Sequence, residues 1–238
     1  VFPTPWQINE GVTEPYLDYA ATVQGGSTVA IASSANPGLR GQTITFTASI
    51  NPNTATGTVL FQEGTTPLPG CAAVTMAAGQ AQCAISTLAI GAHSISAVYS
   101  GDGLNLGSAS AAIGQNVMTA SLDVDASDTA TKFDGPTDGL LTVRYLFGLT
   151  GNALATGALG GTATRTDPAA IKGYLDSIRP VLDIDGNNRV DALTDGLLIV
   201  RYLLGLTGDA LVTGAVDLQL GTRKSAAAVQ SYLQLLMQ

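Results

Sequence analysis

The sequence predicts two domains of different fold class: an all-β sandwich, followed by a helical domain that contains an internal repeat. Short alternating strands separated by Gly, Pro and Asn turns run from Ser27 to Gln115, which is typical of a sandwich. Two near-identical apolar segments follow, each after an acidic loop. The 238 residues are 45% hydrophobic, enough for two cores. The predicted parts are 1–25, an N-terminal segment or linker, 26–117, the sandwich, and 118–238, the helical domain.

The N-terminal segment, residues 1–25, matches no element of its own but is apolar for a tail. It contains the one Trp of the chain, Trp6, together with Tyr16 and Leu17. We expect it to lie on its own sandwich. The alternatives are the end of a truncated domain, or a strand added to the sheet edge of a neighbour.

Seven strands are predicted for the sandwich. In the second strand Ile44, Phe46 and Ala48 alternate with threonines, so one face is buried and the other is wet. The predicted strands are Thr28–Ser33, Gln42–Ser49, Thr58–Gln62, Ala72–Met76, Ala81–Ser86, Ala92–Ser100 and Ser108–Gln115.

Three segments of this region resemble a known family. They read SSANPGLRGQTITFTASI, GTVLFQEGTTPLPG and STLAIGAHSISAVYSGDGLNLGSAS, and the stretch from Val98 to Asp102 is the most recognisable. They are similar to the immunoglobulin-like repeats of large secreted and surface-displayed bacterial proteins. The resemblance implies a spacer or adhesion module without catalytic residues, in a chain that is secreted or displayed at the cell surface.

Two cysteines, Cys71 and Cys83, flank the turn-like residues 77–80. This spacing places them on neighbouring strands of one hairpin, close enough to form a disulfide. The alternative is two free buried thiols in a cytosolic protein. The Thr-rich and Ser-rich, Lys-poor composition speaks against that compartment, and we predict the disulfide.

The sequence indicates that the protein is not an enzyme. The one histidine, His93, is in phase with Ile95 and Ala97 on a face expected to turn inward, and it has no evident nucleophile or orienting acid. Asp102, in the turn SGDG, is interpreted as a turn residue. No carboxylate pair lies outside the acidic loops, and no nucleophile elbow, zinc motif or phosphate loop is present.

The second half of the chain repeats itself. Residues 138–158 and 195–215 agree at 17 of 21 positions. An acidic loop precedes each segment, and a second helix follows it, opening at a capping residue, Asp167 in one copy and Ser225 in the other. The unit is therefore loop, helix, connection and helix, used twice. The repeats cover 122–180 and 182–238.

The second loop, LDIDGNNRVDALTD, has the residue types and spacing of a calcium site. Ca²⁺ takes about six to eight hard oxygen ligands, which a tight turn supplies from alternate residues and the following helix completes with a carboxylate. A carboxylate at the start of a helix also stabilises the helix by its interaction with the helix dipole. The expected ligands are Asp183, Asp185, Asn187, the backbone carbonyl of Arg189, Asp191 through water, and Asp195.

The first loop, LDVDASDTATKFDGPTD, has the same pattern with three extra residues, 129–131. The closing Asp comes later than the Glu that closes an EF-hand loop, and Asp128 and Asn188 replace its invariant Gly. Both residue types tolerate the left-handed conformation. We therefore predict two Ca²⁺ ions. The expected ligands in this loop are Asp123, Asp125, Ser127, Asp134 and Asp138.

The two Asp-rich loops, each followed by an apolar helix of the form DGLLxVRYLxGL, resemble the dockerin domain of cellulosome-type and other secreted bacterial proteins. The resemblance implies an all-α, pseudo-twofold, dockerin-like domain with two EF-hand-like calcium loops. Such a domain folds on binding Ca²⁺, and in the best-known members it binds a cohesin receptor. The repeats here are longer than the family's unit, so a calcium-stabilised structural cap is an equal alternative to cohesin binding.

One face of each first helix is predicted to be core, because its apolar residues recur at helical spacing. Arg144 and Arg201 are the lone charges there, and we interpret them as solvated rather than as recognition residues. The predicted core residues are Leu140, Val143, Phe147, Leu197, Val200 and Leu204.

Charge and hydropathy exclude several classes of binding partner. The net charge is −8, the isoelectric point is about 4.3, and no run of Lys or Arg exists. This argues against nucleic acid and anionic lipid, and no apolar run approaches the roughly 18 residues of a membrane span.

The sequence favours a non-catalytic, extracellular, calcium-binding module for attachment, adhesion or scaffolding. Its partner would be a protein, either a cohesin-like receptor or copies of the chain itself. The first alternative is a structural subunit that assembles into an extracellular fibre, since the low charge leaves the surface poorly guarded against association. A less favoured alternative is the non-catalytic C-terminal part of a secreted hydrolase.

Overall fold

The computed structural model describes residues 6–7, 16–17, 24–128 and 132–238. By contacts between Cα atoms the chain divides into two compact units, one of residues 1–32, 46–83 and 94–113 and one of residues 33–45, 84–93 and 114–238. All the described helices lie in the second unit. The domain boundaries expected from the sequence stay predictions.

The described strands form a short hairpin and two larger sheets. β1 and β2 pair antiparallel. A seven-stranded sheet has the order β4-β12-β10-β6-β7, with β11 beside β10 and β8 beside β6, and a three-stranded sheet has the order β3-β5-β9. The strands are β1 Trp6–Gln7, β2 Tyr16–Leu17, β3 Thr28–Ser33, β4 Gly38–Leu39, β5 Ile44–Asn51, β6 Thr58–Glu63, β7 Thr66–Pro67, β8 Val74–Thr75, β9 Gln80–Ile85, β10 Gly91–Tyr99, β11 Ser108–Ala109 and β12 Ile113–Met118.

Alternation along the strands confirms the predicted sandwich. On β5 the side chains of Ile44, Phe46 and Ala48 are buried, while those between them are half-buried or exposed. β9 alternates in the same way. Such alternation gives each strand one face for the core and one for water.

Several strand ends are shifted by one or two residues from the prediction, and larger differences occur in four places. The strand expected at Ala72–Met76 is reduced to β8, and the one expected at Ser108–Gln115 is two strands, β11 and β12. β4 and β7 were not predicted, since a strand of two residues has no periodicity to detect.

A disulfide joins Cys71 to Cys83, with the two Cα atoms 5.8 Å apart. The disulfide was predicted. The prediction that both cysteines lie on neighbouring strands of one hairpin was wrong. The carbonyl of Cys71 accepts a hydrogen bond at 3.0 Å from the N–H of Phe61 on β6, in the seven-stranded sheet. Cys83 lies on β9 of the three-stranded sheet. The disulfide therefore links the two sheets.

His93 and Asp102 have the structural surroundings expected of them. His93 is half-buried and donates a hydrogen bond from Nε2 to the carbonyl of Ala89 at 2.8 Å. Asp102 organises its turn by accepting from the backbone N–H groups of Thr56 at 2.8 Å and Asn105 at 2.7 Å. These hydrogen bonds hold the pKa of the Asp102 carboxyl well below its usual range.

The helical region contains the same elements in each repeat, apart from a 3-10 turn at Arg179–Val181 that follows the last helix of the first repeat. A π-helical turn precedes a first helix, a one-turn helix follows, and a longer helix ends the repeat. The predicted capping residues of the longer helices are confirmed, since Asp167 accepts from Ala170 N–H at 3.1 Å and Ser225 from Ala228 N–H at 3.3 Å. The helices are α1 Leu140–Leu146, α2 Asn152–Ala155, α3 Pro168–Ile178, α4 Leu197–Leu203, α5 Asp209–Val212 and α6 Ala226–Leu235.

The predicted core face of the first helices was right only in part: Leu140 and Leu197 are partly buried and pack against the core, whereas Phe147 and Leu204 are exposed. The fully buried residues of α1 and α4 include Leu141, Leu198 and Ile199, whereas Phe147 is 58% and Leu204 is 57% exposed. The motif is apolar on two neighbouring stripes, so periodicity alone cannot tell which stripe faces the core. The six residues predicted to be core are half-buried or exposed. They are Leu140, Val143, Phe147, Leu197, Val200 and Leu204.

In the described ranges, no helix is both long and apolar enough to span a membrane. The expectation that residues 1–25 lie on the sandwich falls outside the described residues, apart from β1, β2 and residues 24–25.

Candidate metal centres and an apolar face

Three carboxylates converge in the second acidic loop. One oxygen from each of Asp183, Asp185 and Asp195 lies within 4.8 Å of the others. Asp185 and Asp195 are fully buried, and Asp183 is half-buried. Two predicted ligands from the loop and the one from the helix start therefore form a single cluster.

The first loop repeats the arrangement with Asp123, Asp125 and Asp138, whose oxygens also lie within 4.8 Å of one another. Asp125 and Asp138 are fully buried. Among the described atoms, Oδ1 of Asp125 and Oγ of Ser127 are buried without a hydrogen-bond partner. An unpartnered buried carboxylate oxygen is costly, and a cation would remove that cost.

A π-helical turn explains how a late aspartate still reaches the loop. Residues Ala192–Gly196 form this turn immediately before α4, and the N–H of Gly196 donates to the carbonyl of Asp191 at 3.1 Å. The turn contains one more residue than an α-helical turn, so it accommodates the extra residue that precedes Asp195. The first repeat has the same turn at Gly135–Gly139, and the other three extra residues of its loop lie outside the described residues.

Backbone N–H groups hold each closing carboxylate in place. Asp195 accepts from Ile184 N–H at 2.6 Å and from Asp191 N–H at 2.9 Å. Burial nevertheless raises the pKa of Asp195, and also that of Asp138, to about 7. The cause is the loss of water around the charged form, which outweighs the N–H donors. A divalent cation would stabilise that charged form.

Two further predicted ligands lie in the loops beside the clusters. Asn187 is 6% exposed, and its Oδ1 accepts from the N–H of Arg189 at 2.8 Å. Ser127 occupies the equivalent place in the first loop. Asn188 takes a φ of 64°, which confirms that it can replace the usual Gly of this turn.

Asp134 and Asp191, predicted as ligands that bind through water, have a different contact in the structure. Each is the N-cap of its π-helical turn, where Asp134 accepts from Thr137 N–H at 2.7 Å and Asp191 from Thr194 N–H at 2.9 Å. Neither belongs to the clusters of three carboxylates. Their side chains shape the turn that delivers the closing aspartate.

The long connection of each repeat folds back over its loop. The N–H of Gly160 donates to Oδ2 of Asp125, and the N–H of Asp217 donates to Oδ2 of Asp185, both at 2.7 Å. The sequence offered no signal for these contacts, because they use backbone donors. They help to bury the central aspartate of each cluster.

Arg144 and Arg201 are structural, so their interpretation as solvated residues was wrong. Arg144 donates from Nη1 to the carbonyls of Leu154 at 3.0 Å and Thr156 at 2.8 Å. Arg201 makes the equivalent bonds at the end of α5. An arginine near a helix C-terminus satisfies carbonyls that have no partner within the helix.

Two other arginines, Arg165 and Arg223, were missed by the sequence analysis although they contact the acidic loops. Arg223 donates to the carbonyls of Asp183 and of Ile184, the latter at 2.6 Å. The available signal was that each arginine lies nine residues before a tyrosine, Tyr174 or Tyr232.

The predicted stripe of the first helices, together with Leu193 of the second π-helical turn, forms one apolar face, which we call the αα face. It combines residues of both repeats, and three of its members, Phe147, Leu193 and Leu204, are 58%, 69% and 57% exposed. A contiguous exposed apolar patch of this kind marks an interaction surface more often than an isolated apolar residue does. The αα face consists of Leu140, Val143, Phe147, Leu193, Leu197 and Val200, with Leu204 at its edge beside Gly135.

Comparisons with known proteins concern the sandwich. No curated protein matches the chain. A solved structure described as Clostridium thermocellum CbhA fibronectin(III)-like modules is 22% identical with a TM-score of 0.32, over 38% of this chain and 94% of that one. The family model of the bacterial Ig-like domain (group 3) matches residues 31–118. The chain thus contains an immunoglobulin-like β-sandwich that is followed by a region with six described helices.

Proposed function

We propose that the helical region binds two Ca²⁺ ions, one in each acidic loop, and that the chain is a non-catalytic attachment or scaffolding module of an extracellular protein. The observation that carries the proposal is the convergence of three carboxylates in each loop, with Oδ1 of Asp125 buried and unpartnered. Hard carboxylate oxygens are the ligands that Ca²⁺ prefers.

The first ion would be held by Asp123, Asp125, Asp138 and the hydroxyl of Ser127, and the second by the equivalent residues of the other loop. In the second loop these are Asp183, Asp185, Asn187 and Asp195. Bound Ca²⁺ supplies charge that offsets the repulsion among buried carboxylates, so the loops and the helices that begin there are stabilised together. The same duplicated pattern supports the more specific proposal of a dockerin-like domain.

The attachment role rests on the αα face. It presents exposed apolar side chains at the point where the two repeats meet, which suits contact with another protein. The immunoglobulin-like sandwich and the disulfide agree with an extracellular location, since disulfides persist in oxidising compartments. The partner we propose is a protein, of the cohesin-like kind or a second copy of the chain.

Calorimetric titration of the chelated chain with Ca²⁺ tests the metal proposal. We expect the unchanged chain to bind two ions and to gain helix, as measured by circular dichroism. The variants Asp195→Asn and Asp138→Asn should each bind one ion. Asp209→Asn is the matched control, because the equivalent residue of the first repeat is already Asn152. No heat and no gain of helix on adding Ca²⁺ would remove the proposal.

Sedimentation of the calcium-loaded chain tests which partner the αα face contacts. Concentration-dependent association that Phe147→Glu and Leu204→Glu abolish would identify a second copy. A monomer at all concentrations would leave a different protein as the partner and would exclude the fibre. Lys172→Glu, a change on the exposed surface of α3, serves as the control for added charge.

A further inference from the structure

Arg223 contacts the second acidic loop from outside the carboxylate cluster. Its Nε donates to the carbonyl of Ile184 at 2.6 Å, and its Nη2 donates to the carbonyl of Asp183. Its own backbone N–H donates to the carbonyl of Asp185 at 2.8 Å. One residue thus binds three consecutive carbonyls at the start of the loop.

The guanidinium group of Arg223 also lies over the ring of Tyr232 on α6, 4.0 Å from its centroid. The hydroxyl of Tyr232 donates to the carbonyl of Val181 at 2.9 Å. A planar guanidinium can stack on an aromatic ring while its edge donates hydrogen bonds, which a lysine cannot do. The arginine therefore connects the loop to the last helix of its repeat.

The first repeat has the same contacts. Arg165 donates from Nη1 to the carbonyls of Asp123 and Val124, and its N–H donates to the carbonyl of Asp125 at 2.8 Å. Its guanidinium lies 3.9 Å from the ring centroid of Tyr174. Both copies keep the arginine and the tyrosine, although six of the eight residues between them differ.

The two peptide groups that accept from each arginine also donate to the closing carboxylate. In the second repeat, the N–H groups of Ile184 and Asp185 lie 2.6 Å and 3.4 Å from Oδ1 of Asp195. In the first, the corresponding distances to Oδ1 of Asp138 are 2.6 Å and 3.3 Å. The guanidinium and the carboxylate thus bind opposite ends of the same two peptide groups, an arrangement in which each hydrogen bond polarises the next.

We propose that Arg165 and Arg223 are positioning residues for the calcium sites: they fix the peptide groups that orient Asp138 and Asp195. This inference rests on the proposed function. Through Tyr174 and Tyr232 the same arginines couple each ion to the second helix of its repeat. The long connection, which distinguishes these repeats from a shorter loop-and-helix unit, is the segment that brings each arginine back to the loop.

The sign of the effect distinguishes positioning from simple electrostatics. A guanidinium near a cation site repels the cation, so its removal by Arg223→Gln would tighten calcium binding if charge alone mattered. If the arginine orients Asp195, the same change weakens binding. Loss of a residue that orients a metal ligand costs about 10- to 100-fold in affinity, and we expect a loss of about tenfold.

The experiment measures the Ca²⁺ dissociation constant of the second site in the full chain carrying Asp138→Asn. Arg223→Gln should weaken binding about tenfold, and Arg223→Lys should lie between it and the parent, because an ammonium group can still donate to one of the two carbonyls but lacks the paired donors. Arg201→Gln is the matched control. It also removes an arginine that donates to two carbonyls of this repeat, but those carbonyls belong to Leu211 and Thr213.

Thermal unfolding of each variant at saturating Ca²⁺ shows whether it is folded, and Arg201→Gln should lower the melting temperature while keeping the calcium affinity within about twofold of the parent. Unchanged or tighter binding in Arg223→Gln, or equal weakening in Arg201→Gln, would overturn the inference and leave the proposed function intact. A parent chain that binds no Ca²⁺ would remove both. Arg165→Gln with Asp195→Asn repeats the test in the first loop.

Discussion

A Cβ atom on Gly196 would lie 3.1 Å from Cγ2 of Val143 in the other repeat. The relationship is reciprocal, since a Cβ atom on Gly139 would lie 3.2 Å from Cγ2 of Val200. The glycine that follows each closing aspartate is therefore the point where one repeat's helix start packs on the other repeat's helix. The contact explains why both copies of the motif have Gly at this place.

Replacing Gly196 by Ala should destabilise the packing between repeats. Ala in a helix is intrinsically better than Gly by about 1 kcal/mol, but here the added methyl must displace Val143, and overpacking costs about 1–3 kcal/mol. Gly173 is the matched control, because it lies in α3 with nothing within 4 Å of the added Cβ.

Urea unfolding of the calcium-loaded chain gives the comparison. Gly173→Ala should raise the free energy of unfolding, and Gly196→Ala should be less stable than Gly173→Ala by about 1–3 kcal/mol. Equal stabilisation by both changes would contradict the packing described for Gly196.

Chelation of calcium should loosen the helical region and leave the sandwich unaffected. The buried carboxylates repel one another without a cation, whereas the sandwich is held by apolar packing and the disulfide. Hydrogen exchange read by mass spectrometry should show faster exchange in peptides from α1 to α6 after EDTA. Peptides from β5, β6 and β10 serve as the internal control, and faster exchange there as well would contradict the prediction.

Removal of the disulfide by Cys71→Ala together with Cys83→Ala should lower the free energy of unfolding of the sandwich by about 2–4 kcal/mol. The physical reason is that the bond, across a sequence separation of 12, restricts the unfolded chain and joins the two sheets. Denaturant unfolding with and without a reducing agent makes the measurement. The reducing agent should destabilise the natural chain and have no effect on the double variant.

Stability of the sandwich should depend on the ionisation of Asp102. Its pKa is lowered in the folded chain by backbone N–H donors, those of Thr56 and Leu104 foremost. The charged form therefore stabilises the fold at any pH above the usual carboxyl pKa of about 4, and this contribution is lost as the pH falls below that value. As the pH is lowered from 7 into the acid range, the melting temperature should fall less in Asp102→Ala than in the natural chain. An equal pH effect in both would contradict the assignment to Asp102.

Elements with a local pattern were predicted well. The alternation along β5, the turn at residues 77–80 and the caps at Asp167 and Ser225 depend on residues close in sequence. The turn shows this directly, since Ala77 and Gln80 pair across it, with Ala78 and Gly79 at φ values of 49° and 73°. Such features need no knowledge of the rest of the fold.

The orientation of the first helices could not be predicted in this way. Their sequence is apolar on two adjacent stripes, and only the packing of the other core residues decides which stripe is fully buried. Leu141 faces the core and Phe147 does not, although both are large and apolar. The π-helical turns contribute to this outcome, because an extra residue before each helix rotates its start by about 100°.

The sequence by itself determined the two regions of the chain, the repeat and the acidic residues of each loop, because carboxylates spaced at alternate positions are a local pattern. Only the tertiary structure decided which carboxylates meet, which apolar stripe stays exposed, and which arginines hold the loops. Arg223 and Ile184, for example, are 39 residues apart and are brought together by a chain reversal that no short window of sequence contains. Contacts to backbone carbonyls add to this difficulty, since every residue has one and composition cannot single out the partner.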